Sequence, residues 1–200
     1  MAYVVEDDPG MRDALTLLLQ SADFDVRSYP SAETFLAEVD RSQPICLLTD
    51  VRLPDMDGIV LYRHLVRLGL DPATVVITAH GDIPMAVAVL KEGVVDFVEK
   101  PFDPATLLDS MHAAWQRAVA TQERKAQVAE IEARRSTLTP RETEILELLI
   151  EAYPNKVIAA RLDTSIRTIE HHRARILEKM GARSLSQLIR LMFASRGFPH

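Results

Sequence analysis

The sequence predicts an α/β domain built on a five-stranded parallel sheet, followed by an all-α domain. Residues 1–117 alternate short apolar runs with helix-like segments, whereas residues 137–200 contain four helical segments and no strand. The charge divides the chain in the same way. Residues 1–117 carry 9 basic and 19 acidic residues, a net charge of −10, and residues 118–200 carry 14 basic and 10 acidic residues, a net charge of +4. This asymmetry suggests two domains with different partners.

The five predicted strands follow one another at regular spacing, each with a helix-like segment after it. They are residues 2–5, 26–28, 45–49, 74–78 and 94–98. The third is almost continuously apolar and leads directly into Asp50, which is typical of a strand buried on both faces of a parallel sheet. A helix after every strand predicts right-handed crossovers and helices on both faces of the sheet.

The helix after the fifth strand begins near Pro104, and the same helix-favouring composition continues without Gly or Pro to about Arg135. Its second half has few large apolar side chains, which indicates a solvated helical linker or a weak coiled coil rather than part of a core. We therefore predict a first domain at 1–117, a helical linker at 118–136 and a second domain at 137–200.

Composition also limits where the protein is expected to act. No apolar stretch approaches the length of a membrane span, and the chain reaches the strand-like Val4-Val5 with no room for a secretory signal. The single cysteine, Cys46, excludes an internal disulfide framework and lies in the predicted central strand, where it suits a small core residue. We therefore expect a cytoplasmic protein that makes no membrane contact.

Acidic, hydroxyl and basic side chains stand where the predicted strands end: Glu6 and Asp7, Asp50, Thr78, and Lys100. The carboxyl ends of parallel strands share one edge of the sheet, where ligands bind. Three carboxylates there would repel one another by ~1 kcal/mol per pair in water and ~4 kcal/mol at an effective dielectric of 20. A Mg²⁺ ion would offset that repulsion, and a carboxylate can attack phosphorus. Any one of these residues alone is more often a cap or a surface charge.

The same residues carry a family resemblance. Four segments look like the receiver domain of two-component response regulators: Glu6-Asp7, Asp50, Thr78-Ala79-His80-Gly81-Asp82 and Phe97-Val98-Glu99-Lys100-Pro101-Phe102. The resemblance covers nearly all of residues 1–117 and implies a flavodoxin-like sheet with strand order 2-1-3-4-5. It implies that Asp50 accepts phosphate from a sensor histidine kinase. It also implies that Asp7, Asp50 and the backbone carbonyl of Arg52 ligate Mg²⁺, with Glu6 acting through water.

Two further expectations come with this resemblance. The position of Arg12, six residues after Glu6, matches the family spacing and leaves Asp8 outside the acidic pair. The resemblance also implies a switch, in which Thr78 moves toward the phosphoryl group, Lys100 pairs with its charge, and Phe97 turns inward. A cis peptide between Lys100 and Pro101 is part of the same pattern. A purely structural role of Phe97 in the core is the alternative.

Residues 155–162 and 165–180 have the lengths of a helix-turn-helix pair, joined by a short turn at Asp163-Thr164. Arginine can bind guanine edges or phosphates, and glutamate can accept from cytosine. The candidate DNA-contacting residues are Lys156, Arg167, Thr168, Glu170, His171, Arg173 and Arg175. A solvated helix surface rich in arginine is the alternative, because helical bundles without a DNA function look similar.

Three segments of this half resemble the LuxR-type DNA-binding domain: Leu138-Thr139-Pro140-Arg141-Glu142, Asn155-Lys156-Val157-Ile158-Ala159 and Thr168-Ile169-Glu170-His171-His172-Arg173. The whole chain is similar to the FixJ/NarL group and most of all to its FixJ branch. Ala152-Tyr153 departs from the Gly-Leu that is usual there, and His171-His172 is an uncommon doublet. The resemblance implies that the last helix, about 184–194, makes dimer contacts. The candidates are Leu188, Leu191 and Met192, with burial against the other helices as the alternative.

The predicted function is a phosphorylation-dependent transcriptional regulator that binds promoter DNA as a homodimer, with residues 83–97 as the face that dimerises and RNA polymerase as a further partner. Two alternatives stay open. One is a phosphorylation-switched interaction module without DNA binding. The other is an aspartate-based phosphatase of the haloacid dehalogenase type, which needs a second acid where this chain has Arg52. The receiver resemblance implies only self-phosphorylation and slow hydrolysis, with Arg52 and His80 influencing the rate.

Overall fold

The computed structural model describes residues 1–79 and 83–195, and the chain divides into two compact units, Met1–Gln122 and Glu123–His200. The first unit contains a parallel five-stranded sheet with the order β2-β1-β3-β4-β5, as predicted. The strands are β1 (Ala2–Val5), β2 (Val26–Tyr29), β3 (Cys46–Asp50), β4 (Ala73–Thr78) and β5 (Asp96–Glu99).

Five helices follow the strands one by one: α1 (Pro9–Ser21), α2 (Ala32–Glu38), α3 (Gly58–Arg67), α4 (Ile83–Glu92) and α5 (Pro104–Arg135). Short polar side chains begin three of them by accepting a backbone N–H of the first turn. Asp8 accepts from Met11 at the start of α1, Ser31 from Thr34 at the start of α2, and Asp57 from Ile59 at the start of α3.

The side chains of the central strands alternate between two cores, which is why β1 and the first three residues of β3 are all apolar. Val4 and Leu48 pack with apolar residues of α1 and α5 on one face of the sheet. Tyr3 and Leu47 pack with apolar residues of α2 and α3 on the other. The prediction of helices on both faces is therefore confirmed, and Cys46 lies fully buried among the first set. Burial raises the pKa of the Cys46 thiol to about 12, consistent with a core residue.

Four of the five strands differ from the predicted bounds at one or both ends, and the differences in β5 and β3 concern the edge of the sheet that carries the site. β5 begins at Asp96 rather than at residue 94. Gly93, with φ of 109°, follows the last residue of α4, and Val94 and Val95 connect it to the strand. Val94 packs against Tyr62 and Val89 on the way. Asp50 is the last residue of β3 rather than the residue after it, so the regular backbone of the sheet holds its position.

The second unit is all-α among its described residues, 123–195, as predicted. Its helices after α5 are α6 (Pro140–Ile150), α7 (Asn155–Arg161), α8 (Ile166–Lys179) and α9 (Leu185–Ser195). Thr139 and Glu142 form a capping box at the start of α6. The structure corrects the prediction that the linker residues are not part of a core. Ala118 is buried in the core of the first unit and Ile131 in that of the second. No helix of the described residues has the length and apolar character to cross a membrane.

Candidate functional site

Lys100 connects two acidic side chains at the carboxyl edge of the sheet. Its Nζ donates to Asp50 Oδ2 at 2.5 Å and to Glu6 Oε2 at 2.9 Å. The pairing of β1 with β3, in register from Val5 to Thr49, places the ends of these strands side by side. Glu6 is 2 % exposed and Asp50 8 %. Two buried carboxylates therefore share a single ammonium group.

The environment of these groups shifts their protonation. Burial raises the pKa of Glu6, and the neighbouring Asp50 carboxylate adds to that rise, while the hydrogen bond from Lys100 opposes it. Burial lowers the pKa of Lys100, but its hydrogen bonds to Asp50 and Glu6 outweigh that effect and leave the pKa raised. Lys100 is therefore held in its protonated form, and its one positive charge faces both acidic side chains.

The backbone after Asp50 is held close to the acidic cluster. The N–H of Arg52 donates to Asp50 Oδ1 at 3.0 Å, and the N–H of Val51 donates to Ile77 O at 2.9 Å. The side chain of Arg52 is exposed. At the other end of the loop, Gly58, the first residue of α3, lies directly against the end of β3. A Cβ at this position would lie 2.1 Å from the carbonyl oxygen of Asp50, so only glycine fits there. No motif of the sequence indicated this role of Gly58, which follows the helix cap Asp57.

The third predicted acid, Asp7, is not buried together with Glu6 and Asp50. Asp7 is exposed, and its backbone carbonyl accepts from Arg12 Nη1 at 3.2 Å. Asp8 caps α1, in keeping with its expected place outside the acidic pair. No group of three or more His, Cys, Asp or Glu residues suited to a metal ion occurs within residues 1–79 and 83–195. Glu6 and Asp50 are thus together, with Asp7 next to them in the chain, and the Mg²⁺ ligand set stays a prediction.

The predicted switch residues lie around the same edge. Thr78 is buried at the end of β4, and its carbonyl accepts the N–H of Lys100 at 2.7 Å. Phe97 is half-buried and packs against the cluster that includes Val76 and Val89. The peptide bond between Lys100 and Pro101 is cis. His80, with its expected influence on the rate, lies outside the described residues, as do Gly81 and Asp82.

A contact that the sequence analysis missed attaches the loop after β3 to α2. The carboxylate of Asp55 accepts the backbone N–H of Glu33 at 2.6 Å and that of Ala32 at 3.2 Å. Burial raises the pKa of Asp55, but these backbone hydrogen bonds outweigh it and leave the pKa lowered. No pattern in the sequence signals this contact, since the partners are 22 and 23 residues apart.

In the second unit, α7 and α8 form the predicted helix-turn-helix pair, and Ser165 caps α8 by accepting from the N–H of Thr168. The candidate DNA-contacting side chains are exposed except for Arg173, which is half-buried. The exposed ones are Lys156, Arg167, Thr168, Glu170, His171 and Arg175. The pair therefore presents a polar, mainly basic surface, as a DNA-binding helix-turn-helix requires.

Glu142 fixes α8 to the start of α6. It is 1 % exposed, and its Oε2 accepts from Lys179 Nζ at 2.5 Å and from the N–H of Thr139 at 2.9 Å. The hydrogen bond from Lys179, together with that from Thr139, lowers the pKa of Glu142 to about 2. Arg141 secures the end of α7 by donating to Leu162 O at 2.5 Å. The surface of α8 is thus held in one orientation within its unit.

The two unusual residues before α7 have a structural consequence each. Ala152 has φ of 61°, the left-handed conformation that glycine adopts more easily, so alanine is strained there. The guanidinium of Arg161 lies over the ring of Tyr153, 3.9 Å from its centroid. This cation–π contact joins the end of α7 to the residues that precede it.

The structure favours the alternative of burial for two of the three predicted dimer contacts on α9. Leu188 and Met192 are both fully buried in the core of their own unit, and Leu191 is half-buried against the same core. A side chain enclosed by its own fold has no surface to offer a second chain, so packing against the other helices accounts for Leu188 and Met192. Phe193, which the sequence analysis did not single out, is the exposed large apolar residue of α9.

A parallel sheet of this order with an aspartate–lysine pair at its carboxyl edge, followed by a helix-turn-helix unit, defines a response regulator that binds DNA. Two family models match the chain: "Response regulator receiver domain" over residues 2–112 and "Bacterial regulatory proteins, luxR family" over residues 136–192. The chain therefore belongs to the two-component response regulators of the FixJ/NarL family, and it is a phosphorylation-dependent transcriptional regulator.

Similar proteins cover nearly the whole chain. The transcriptional regulatory protein FixJ of Rhizobium meliloti (strain 1021) is 40 % identical over 96 % of this chain and 94 % of its own length. The response regulator protein TodT of Pseudomonas putida is 38 % identical over 94 % of this chain and 83 % of its own. A low-resolution structure of the response regulator StyR superposes with a TM-score of 0.83 at 38 % identity, covering 96 % of both chains. The receiver domain implies a sensor kinase as partner, and the LuxR-type domain implies promoter DNA.

Proposed function

We propose that Asp50 accepts a phosphoryl group from a sensor histidine kinase and that the phosphorylated chain binds promoter DNA as a homodimer. The observation that supports this most is the contact of Lys100 Nζ with the buried carboxylates of Asp50 and Glu6. A cation already in contact with the nucleophile can stabilise charge that develops on a transferred phosphoryl group.

The chemical step is a substitution at phosphorus. An oxygen of Asp50 attacks, the bond between phosphorus and the kinase's histidine nitrogen breaks, and the leaving imidazole takes up a proton. The oxygen-rich surroundings of Asp50 suit Mg²⁺, which Asp7, Asp50 and the Arg52 carbonyl would hold, with Glu6 acting through water. When bound, the ion supplies positive charge that offsets the repulsion between the acids and the incoming phosphate.

After transfer, the hydrogen bond of Lys100 to the Asp50 carboxylate is replaced by a contact with the phosphoryl oxygens. Thr78, buried at the end of the neighbouring strand, donates its hydroxyl to the same group. Phe97, half-buried two residues before the end of β5, then moves into the space that Thr78 leaves. The phosphoryl group thereby changes the packing around β4, β5 and α4.

The output is a change in how two copies associate. Residues 83–97 include three exposed apolar side chains of α4: Met85, Val87 and Leu90. This exposed apolar surface supports the assignment of residues 83–97 as the face that dimerises. A coupling of roughly 1–3 kcal/mol between phosphorylation and association is sufficient for regulation.

RNA polymerase is a further proposed partner, and the cytoplasm is the proposed location. Residues 118–136 are the proposed linker between the phosphorylated domain and the DNA-binding domain.

The deciding experiment compares Asp50→Asn with Asp40→Asn. Asp40 is an exposed carboxylate that accepts hydrogen bonds from Ser42, away from the acidic cluster, and serves as the matched control. With acetyl phosphate and Mg²⁺, we expect labelling of the unsubstituted protein and of Asp40→Asn, but none of Asp50→Asn. Promoter binding in a gel shift should strengthen on phosphorylation, in a salt-dependent manner, only for the proteins that are labelled.

Other outcomes separate the alternatives. Labelling without binding to any fragment of its own promoter region would favour an interaction module. Repeated turnover of an external phosphate ester that depends on Asp50 would favour a phosphatase. Persistent labelling of Asp50→Asn would move the phosphorylation site elsewhere.

A further inference from the structure

We propose that Ile166 is a specificity-determining residue that contacts thymine methyl groups in the major groove of the operator. The inference rests on the proposed DNA binding of the helix-turn-helix pair and adds a preference for particular bases. It concerns an apolar side chain on a surface composed mainly of charged and polar groups.

Ile166 is an exposed apolar residue, and the core of its unit does not require an apolar side chain at this position. Three large apolar residues within residues 123–195 remain substantially exposed: Val157, Ile166 and Phe193. Ile166 is the most exposed of the three, at 46 %, and it is the first residue of α8. The other isoleucines of α8, Ile169 and Ile176, are fully buried. The exposure of Ile166 is therefore a property of its position and not of a loosely packed helix.

The position of Ile166 on α8 agrees with a role in base contact. Glu170 and Arg173 stand four and seven residues after Ile166, so the three side chains share one stripe of the helix. The N-terminal residues of a recognition helix are those that reach base edges in helix-turn-helix proteins. Ile166 therefore lies at the leading end of the stripe that carries two candidate DNA contacts.

Charge identifies nucleic acid as the occupant of this surface. Arg167 follows Ile166 directly and is exposed, Arg173 shares its stripe, and Lys156 is exposed at the start of α7. These cations suit a phosphate backbone rather than an apolar protein surface. The only apolar group that B-DNA presents in its major groove is the 5-methyl group of thymine. An exposed isoleucine among arginines thus matches thymine and distinguishes it from cytosine, which has no such methyl.

The test removes one methyl group at a time. An operator is first selected from random DNA with the phosphorylated protein, and each thymine of a half-site is then replaced by deoxyuridine, which differs only in lacking the 5-methyl. Burial of one methyl group corresponds to about a fourfold change in affinity. We expect one or two positions per half-site at which deoxyuridine weakens binding of the unsubstituted protein by about that factor.

The variant Ile166→Ala should lose affinity for the thymine operator and no longer respond to deoxyuridine at those positions, while Ile166→Val should keep part of the response. Phe193→Ala, which removes an exposed apolar side chain outside the helix-turn-helix pair, should respond like the unsubstituted protein. Ile166→Ala should leave the slope of log affinity against log salt unchanged. Arg167→Ala should instead make that slope shallower, by about one for each phosphate that the arginine neutralises.

Two results would overturn the inference. The first is an operator bound tightly by the unsubstituted protein with no penalty from deoxyuridine at any position. The second is an equal deoxyuridine penalty in the unsubstituted protein and in Ile166→Ala. Failure of the phosphorylated protein to select any DNA would instead contradict the proposed function, and the inference would fall with it.

Discussion

Gly58 shows how closely one residue constrains the proposed phosphorylation site. A Cβ there would lie 2.1 Å from the carbonyl oxygen of Asp50 and 2.8 Å from Thr49 Oγ1, and the first of these is backbone that cannot rotate away. We expect Gly58→Ala to displace α3 from the end of β3, lower the free energy of unfolding of the first unit by about 2 kcal/mol or more, and abolish labelling of Asp50. Urea unfolding and acetyl phosphate labelling measure both effects.

Gly10 provides the matched control, since it is also a helix residue but a Cβ there would make only an ordinary 3.4 Å contact with Asp8. Gly10→Ala should leave labelling unchanged and stabilise α1 slightly, by up to ~1 kcal/mol. Normal labelling and normal stability of Gly58→Ala would show that the close approach of α3 to Asp50 is not required for phosphorylation.

At the level of single residues, the sequence predicted contacts between residues that are close along the chain and did not predict contacts between distant ones. Helix caps such as Ser31, Thr139 and Ser165 could be predicted because donor and acceptor lie three residues apart. The contact of Asp55 with α2 could not, because nothing local requires a carboxylate in the β3–α3 loop to reach another helix. Leu188 and Met192 show the same limit, since an apolar stripe does not reveal whether its own unit or a second chain covers it.

Among the structural elements, α6 and α8 are joined through a single ionised carboxylate. Glu142 has a pKa of about 2 in the folded protein, against about 4.3 for an unperturbed glutamate. Because the folded pKa is the lower one, this contribution to stability is complete above about pH 5 and is lost as the pH falls toward 2. The contribution is up to about 3 kcal/mol. We expect the urea midpoint of the second unit, followed by its amide NMR signals, to fall over this range.

The comparison variant is Glu142→Gln, which keeps the length of the side chain but removes its charge. It should be less stable than the unsubstituted protein at pH 6, and the difference should shrink toward pH 2.5. All other carboxylates titrate in both proteins, so this difference isolates Glu142. A difference independent of pH would mean that the ion pair with Lys179 does not stabilise the contact between α6 and α8.

The elements themselves were mostly predictable, for reasons that also explain the errors. Mainly apolar runs marked β1, β3 and β4 because both faces of those strands are buried. The order of the strands came from a family resemblance, since periodicity does not state which strands are neighbours. The polar second half of α5 concealed the burial of Ile131, because a single apolar residue among charged ones produces no stripe.

For the molecule as a whole, charge and composition predicted the two-unit organisation. The proposed phosphoryl site instead depends on contacts between residues that are far apart in the chain of one unit. Lys100 reaches Glu6 across 94 residues and Asp50 across 50. Only the completed sheet brings these residues together, so the sequence could indicate that they meet at one edge but not that one ammonium binds both acids. The same network implies that any ligand of Asp50 must compete with Lys100 for that carboxylate or recruit Lys100 to itself.

If phosphorylation of Asp50 changes the affinity for DNA, then DNA binding must also change the affinity of the Asp50 site for a phosphoryl group. If a phosphoryl group at Asp50 strengthens operator binding by some factor, operator DNA must strengthen binding of a non-covalent phosphoryl mimic at Asp50 by the same factor, as linkage demands. We expect this factor to lie between about 5 and 150. Beryllofluoride with Mg²⁺ is a suitable mimic, and its affinity can be measured by calorimetry with and without a saturating operator.

Three variants serve as controls for that measurement. Asp50→Asn should show no beryllofluoride binding and no change in DNA affinity with the mimic, while Asp40→Asn should show the full coupling. Ile166→Ala should bind DNA more weakly but retain the same coupling factor, because it lies in the DNA contact and not in the conformational change. A factor of one in both directions, with DNA binding intact, would mean that the receiver does not control the DNA-binding unit and that the second unit acts independently of the state of Asp50.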